Sequence, residues 1–156
     1  MKKDILITKL KESCSTILKL LEGIDLEIIV YEDSGWRIKD ILGHIATWDN
    51  EVRKSIEAFN AGNEYAIQEL DENNFNHEAF ISLRELNSVQ ITTKFVKTRQ
   101  EFIKSIIDFD QELLENDFLF PWGDESGSLT KLVEYMIEHD DEHKDEILNA
   151  IQVMKA

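Results

Sequence analysis

The sequence predicts an all-α fold: an up-down-down-up four-helix bundle with a long crossover between helices two and three. Three observations predict it. One proline and six glycines in 156 residues leave room for long uninterrupted helices. Four stretches repeat apolar residues at steps of three and four, the spacing of one helical face. The interval 63–87 is long enough to carry the chain back along the bundle. The third helix then starts at the end where the second started.

The first helix is expected from Asp4 to Leu21, where Ile7, Leu10, Cys14, Ile17 and Leu21 draw one stripe. Cys14 lies in that stripe and reads as a buried thiol. Leu26 to Trp36 reads as a connection. Ile28 to Tyr31 has strand composition but no evident partner strand, and Ser34-Gly35 supplies a turn. The second helix covers about Arg37 to Asn60, with Ile38, Ile41, Ile45, Trp48, Val52, Ile56 and Phe59 as its stripe. Gly62 is placed to end it in a left-handed conformation.

Glu64 to Phe80 is polar with scattered aromatics and reads as one short helix inside the crossover. The third helix is expected from about Ser88 to Glu115, lined by Phe95, Phe102, Ile106, Phe109 and Leu113. Asn116 to Ser128 reads as a loop holding Pro121 and Trp122. Ser128 is a suitable N-cap for the fourth helix, because its hydroxyl accepts an orphan backbone N–H. That helix continues to about Met154.

A chain of this length is expected to form one domain. Hydrophobic residues at 42% and charged residues at 31% fit a globular chain rather than a disordered one. Seventeen basic against 32 acidic residues give a net charge of -15. That balance disfavours nucleic acid, whose backbone needs clustered Lys and Arg, and an anionic membrane surface. A single cysteine excludes an intramolecular disulfide. Met1-Lys2-Lys3-Asp4 has the basic start of a signal peptide, but Thr8, Lys9 and Lys11 interrupt the apolar run that would have to follow. No apolar run approaches a membrane span, so the expected location is cytoplasmic.

The histidines carry the functional signal. On the fourth helix the inward seam reads Leu132, Met136, His139, His143, Ile147, Ala150, Met154. A spacing of four brings both imidazoles onto one face, the step by which a helix offers two ligands to one metal. On the second helix His44 lies three residues after Ile41 and four before Trp48, so it also faces inward. With the two helices antiparallel, His44 and His143 differ in depth by roughly 6 Å at 1.5 Å per residue. The three rings are expected to converge.

A lone inward histidine is usually a hydrogen-bonded core residue. Three without a metal would need a partner for every ring nitrogen. Three neutral imidazoles with an open fourth position fit a catalytic metal site better than a closed structural one. His77, in the crossover, reads as exposed and without a role. Asp40 and Asp140 are candidates to orient an imidazole. The other acids from Glu138 to Glu146 read as a solvated helix face. Trp48 is core and a cavity wall, Trp36 and Trp122 are pocket lips, and Tyr135 offers a hydroxyl one turn before His139. Tyr135 and Asp140 are the catalytic candidates.

These residues resemble the DinB-like superfamily of small helical bundles, and more narrowly its ClbS/DfsB branch. The matching pieces are the block Gly35-Trp36-Arg37-Ile38-Lys39-Asp40-Ile41-Leu42-Gly43-His44-Ile45-Ala46-Thr47-Trp48, then Phe95 with Thr98-Arg99, then Leu129 with Glu138-His139 and His143. They fall in order across nearly the whole chain, so the resemblance implies one such domain over residues 1–156. It also implies an up-down-down-up bundle with a zinc or nickel site at His44, His139 and His143. Superfamily members include thiol-dependent transferases, which use an external low-molecular-weight thiol, and metal-dependent hydrolases. The branch is linked to self-protection against a reactive genotoxic metabolite by hydrolysis of its strained ring. Arg37 stands where the branch usually has Ser or Thr, Tyr135 where Asn is common, and Asp140 where Tyr often follows the first histidine.

Three functions compete on this reading. The first is an enzyme in which a metal on the three histidines acts on a small electrophilic metabolite, by hydrolysis or thiol transfer. The second is a metal-independent module that binds and sequesters such a molecule. The third is a structural domain whose histidines satisfy one another through water. The expected partner is a small molecule. Bundles of this kind often pair through exposed apolar helix faces, so a homodimer is also an expectation.

Overall fold

The computed structural model describes residues 2–156. Five α-helices carry the chain: α1 (Lys2–Leu20), α2 (Ile38–Asn60), α3 (Glu72–Leu83), α4 (Ser88–Ile107) and α5 (Leu129–Lys155). The bundle is α1, α2, α4 and α5, and α3 lies in the crossover. Helices α2 and α4 run parallel. Lys39 Nζ donates to Leu86 O near the start of both, Asp49 pairs with Arg99 midway, and the Asn60 side chain meets Asp108 O at the far end. Helices α1 and α5 run the opposite way. Leu6 and Leu132 pack with Val52 and Ile56, whereas Ile17 and Ile147 pack with Ile38 and Ile41. The order is up-down-down-up, as the length of the crossover predicts.

Those two apolar clusters are separated by one buried polar layer. Arg99 lies between Phe95 and Phe102 on the inner stripe of α4 and is only 1% exposed. Its Nε donates to Asp49 Oδ2 at 2.8 Å, and Nη1 and Nη2 donate to the Asp140 carboxylate at 2.9 and 3.0 Å. Ser13 on α1 also donates to Asp140, at 2.7 Å. Burial opposes the guanidinium charge, but Asp49 and Asp140 more than offset it and hold Arg99 firmly protonated. Each of the four bundle helices contributes one member.

Three segments differ from the sequence expectation. Helix α4 stops at Ile107 rather than Glu115, and a 3-10 turn follows at Gln111–Leu113. The carbonyls that a longer helix would use are taken by other groups. Lys3 Nζ donates to Ile107 O and Phe109 O, while the Asn60 amide donates to Asp108 O and accepts from Asp110 N. The connection before α2 does have a strand partner. β1 (Ile29–Tyr31) pairs antiparallel with β2 (Trp36–Arg37) around Gly35, whose φ of +75° suits only glycine readily. Ile28 O and Leu26 O then accept the first free N–H groups of α2, from Ile38 and Lys39.

The third difference is the loop before α5, which is a short hairpin of β3 (Phe118–Leu119) and β4 (Ser126–Gly127). A Cβ on Gly127 would lie 2.7 Å from the Phe120 ring, so the hairpin closes only around a glycine here. The crossover helix α3 begins at Asp71, whose carboxylate accepts from Asn74 N. The cap on α5 is Ser128, as expected, and Cys14 is buried.

Candidate metal centre and cleft

Two helices deliver the three histidines. His44 projects from α2 one turn before Trp48, and His139 and His143 project from α5 one turn apart. Their Nε2 atoms meet: His44 to His139 is 3.0 Å, and His139 to His143 is 3.0 Å. Ligand atoms of all three lie within 4.8 Å of one another. The three rings converge despite the rough depth difference read from helix length.

The second nitrogen of His143 is fixed. Its Nδ1 lies 2.7 Å from Glu146 Oε1 and 3.1 Å from the Tyr31 hydroxyl, which also donates to Glu146 at 2.8 Å. A carboxylate only accepts, so His143 Nδ1 carries a proton, and Nε2 is the ring atom turned toward the cluster. His139 Nε2 then faces two neighbours, and one linear N–H bond satisfies only one of them. A cation satisfies all three lone pairs together. Burial, followed by the adjacent imidazoles, pushes His44 down to about 3. Burial and His143 push His139 down to about 4. Three imidazoles converging in this way, with His44 and His139 kept neutral by burial, are a fitting donor set for zinc or nickel.

The cluster opens into a cleft of about 720 Å³. His44 and His139 are at its floor. Trp48, Trp122, Tyr135 and Met136 form walls, and Ile67, Glu69, Leu70 and Glu72 of the crossover complete the lining with Gly123 and Asp124. Trp48 is anchored by Asn76 on α3, which accepts from Nε1 at 2.8 Å. Glu125 accepts from Trp122 Nε1 at 2.9 Å and from the Tyr135 hydroxyl at 2.7 Å. The hairpin thereby locks two cleft walls together, and the bond to Glu125 raises the Tyr135 phenol.

The pocket candidates divide between two places. Trp48, Trp122 and Tyr135 border the large cleft. Trp36 and Asp40 border a small neighbouring hollow that also touches His44. Trp36 stacks on Phe80 at 5.5 Å and leans on His44 at 5.5 Å, so it is less a lip than a side wall. Neither carboxylate proposed to orient an imidazole does so. Asp40 accepts from Arg37 N as part of the α2 cap. Asp140, although adjacent to His139, turns into the bundle toward Arg99 and Ser13 and is 0% exposed. Its position removes it from the cleft and from the catalytic candidates. His77 is exposed, as expected.

The imidazole-orienting groups that sequence reasoning missed are Tyr31 and Glu146. Glu146 lies three residues after His143, the helical spacing that places it beside the ring. It was hidden among the many carboxylates around it. Tyr31 comes from β1, and no local pattern connects it to α5.

Solved structures share this fold. A mycothiol-dependent maleylpyruvate isomerase matches with a TM-score of 0.76 and 12% identity, over 94% of this chain and 61% of its own. YfiT from Bacillus subtilis, described as a probable metal-dependent hydrolase with an unusual four-helix bundle topology, matches with a TM-score of 0.70 and 16% identity, over 98% and 87%. The chain shares the fold of these two proteins. It spans about three fifths of the isomerase's length. No protein-family model matches the sequence, and no curated protein matches it. The fold is thus the one that the DinB-like resemblance implies. Among the described residues no helix is long and apolar enough to cross a membrane.

Proposed function

We propose that the protein is a metal-dependent enzyme acting on a small electrophilic molecule held in the cleft. The observation that carries this reading is the convergence of three Nε2 atoms, two of them at the cleft floor, with His143 Nδ1 held by Glu146 and Tyr31. His44, His139 and His143 would hold the ion. Zinc or nickel bound there supplies Lewis acidity and lowers the pKa of a coordinated water toward neutrality.

The remaining work falls to the chain itself. Trp48 and Trp122 cover the apolar part of the ligand and exclude water from it. The Tyr135 hydroxyl stays protonated beside Glu125 and marks a polar edge within the cleft. The YfiT and isomerase neighbours support the general kind of chemistry, since one is described as a probable metal-dependent hydrolase and the other as thiol-dependent. The ClbS/DfsB resemblance narrows the proposal to detoxification or self-protection, in the cytoplasm, against a reactive metabolite. Sequestration without turnover is the competing reading, and the volume and aromatic walls of the cleft favour it to the extent that they are made for holding.

Elemental analysis of protein purified without an affinity tag and dialysed against a weak chelator tests the proposal. About one zinc or nickel per chain, absent from His44→Ala, His139→Ala and His143→Ala variants that remain folded, supports the metal centre. No metal, with no uptake on titration, overturns it and leaves the sequestering reading.

A further inference from the structure

The walls of the cleft are aromatic, and its lining contains no lysine or arginine. Three carboxylates stand in it instead: Glu69 and Glu72 from the crossover and Asp124 from the hairpin tip. All three are exposed, and none forms an ion pair among the described residues. Lys131, which touches the cleft wall residue Tyr135, is withdrawn. It pairs with Glu125 at 3.1 Å and lies over the Tyr135 ring at 5.7 Å. The cleft therefore joins ring faces, whose quadrupoles attract cations, to unpaired negative charge in a concave, partly apolar surround that concentrates its field.

We infer that the cleft selects a flat, cationic small molecule, such as an aryl amidine or an amine-bearing heterocycle, and that Glu69, Glu72 and Asp124 are its specificity determinants. The ring lies between Trp48 and Trp122, and the cationic group faces the carboxylates. The inference rests on the cleft being the substrate site of the proposed enzyme. It also bears on the second reactant. Low-molecular-weight thiols of the glutathione type carry carboxylates and are repelled by this rim, whereas water is indifferent to it. Hydrolysis is then favoured over transfer to such a thiol: the water oxygen bonds to the electrophilic carbon, the bond from that carbon to the leaving atom breaks with its electron pair, and a proton from water ends on the leaving atom.

Benzamidine, benzamide and benzoate are near-isosteric and carry +1, 0 and -1 charge at neutral pH. Their binding to the chelator-treated protein is measured by calorimetry and by tryptophan fluorescence at low salt. Chelation prevents benzoate from binding simply as a metal ligand. The expected order is benzamidine, benzamide, benzoate, with roughly tenfold or more between the first and last, and a smaller gap at 0.5 M salt. In the Glu69→Gln, Glu72→Gln, Asp124→Asn triple variant the gap falls to within about threefold. Equal binding of benzamidine and benzoate, no binding of any of the three, or an unchanged gap in the triple variant overturns the inference. Metal uptake is measured separately. Zinc binding without cation preference overturns this inference alone, and cation preference without metal uptake overturns the metal centre alone.

Discussion

His143 Nδ1 and Glu146 Oε1 lie 2.7 Å apart on adjacent turns of α5, with the Tyr31 hydroxyl bonded to both. This three-way contact fixes which nitrogen of His143 faces the cluster. Glu146→Gln keeps the shape but removes the strong acceptor, and its amide can present a donor instead. Groups in this position are worth about 10–100-fold in metal affinity. Competition titration against a zinc chelator should show a loss of that size, partly reproduced by Tyr31→Phe. Unchanged affinity in both variants would mean that the contact only tethers β1 to α5.

Acid should destabilise the metal-free protein. Burial holds His44 at about 3 and His139 at about 4, against an ordinary value of 6.5. At these two histidines the unfolded chain therefore binds more protons than the folded one between these values, while Asp49, pushed up to about 6 by burial, offsets part of the effect. Stability is present in full above 6.5 and is lost as pH falls through that window. Urea unfolding of the chelator-treated protein at pH 7.5 and 5.0 should show the drop. A His44→Gln, His139→Gln double variant should show a flatter dependence over the same interval.

The Arg99 layer is structural. Arg99→Ala leaves Asp49 and Asp140 buried without a counter-charge, and breaking a buried pair in this way costs about 3–5 kcal/mol. Urea denaturation should report a loss of that order. Metal content per folded chain should be retained, because Asp140 points away from the cluster. A fully stable variant that had lost its metal would reverse this assignment and return Asp140 to the site.

Gly127→Ala should open the hairpin. Its new Cβ would meet the Phe120 ring at 2.7 Å and Lys131 Cδ at 2.9 Å. The lysine end can move, but the buried ring has nowhere to go. Overpacking of this kind costs about 1–3 kcal/mol. The expected signature is a lower thermal midpoint with a change in Trp122 fluorescence, since the same hairpin holds Trp122 and Glu125.

Much of this architecture was legible in the sequence. The stripes of α2 and α5 run unbroken for six turns or more, and the histidines interrupt them at core positions, so both the elements and the cluster could be read from spacing. The paired strands could not. Trp36–Arg37 and Ser126–Gly127 are two residues each, too short for any alternation to register. The end of α4 was misplaced because its cause lies elsewhere in the chain, in Lys3 and Asn60. Arg99 and Asp49 did leave a signal. Arg99 falls between Phe95 and Phe102, and Asp49 between Ile45 and Val52, so a cation and an anion both stand at core positions; Asp140, followed one turn later by His143 and Lys144, has no such signature.

The buried ionic layer has a further consequence for α5. Moving that helix by one turn, about 5.4 Å, along its neighbours would exchange one apolar seam residue for another at modest cost nearly everywhere. At Asp140 it would strand a carboxylate in hydrocarbon and leave Arg99 with one carboxylate partner in place of two. The layer thus works as an index mark, tolerating one longitudinal setting of α5 and rejecting the next. His139 adjoins that mark in sequence, so the same setting keeps the imidazoles of two separate helices at one height.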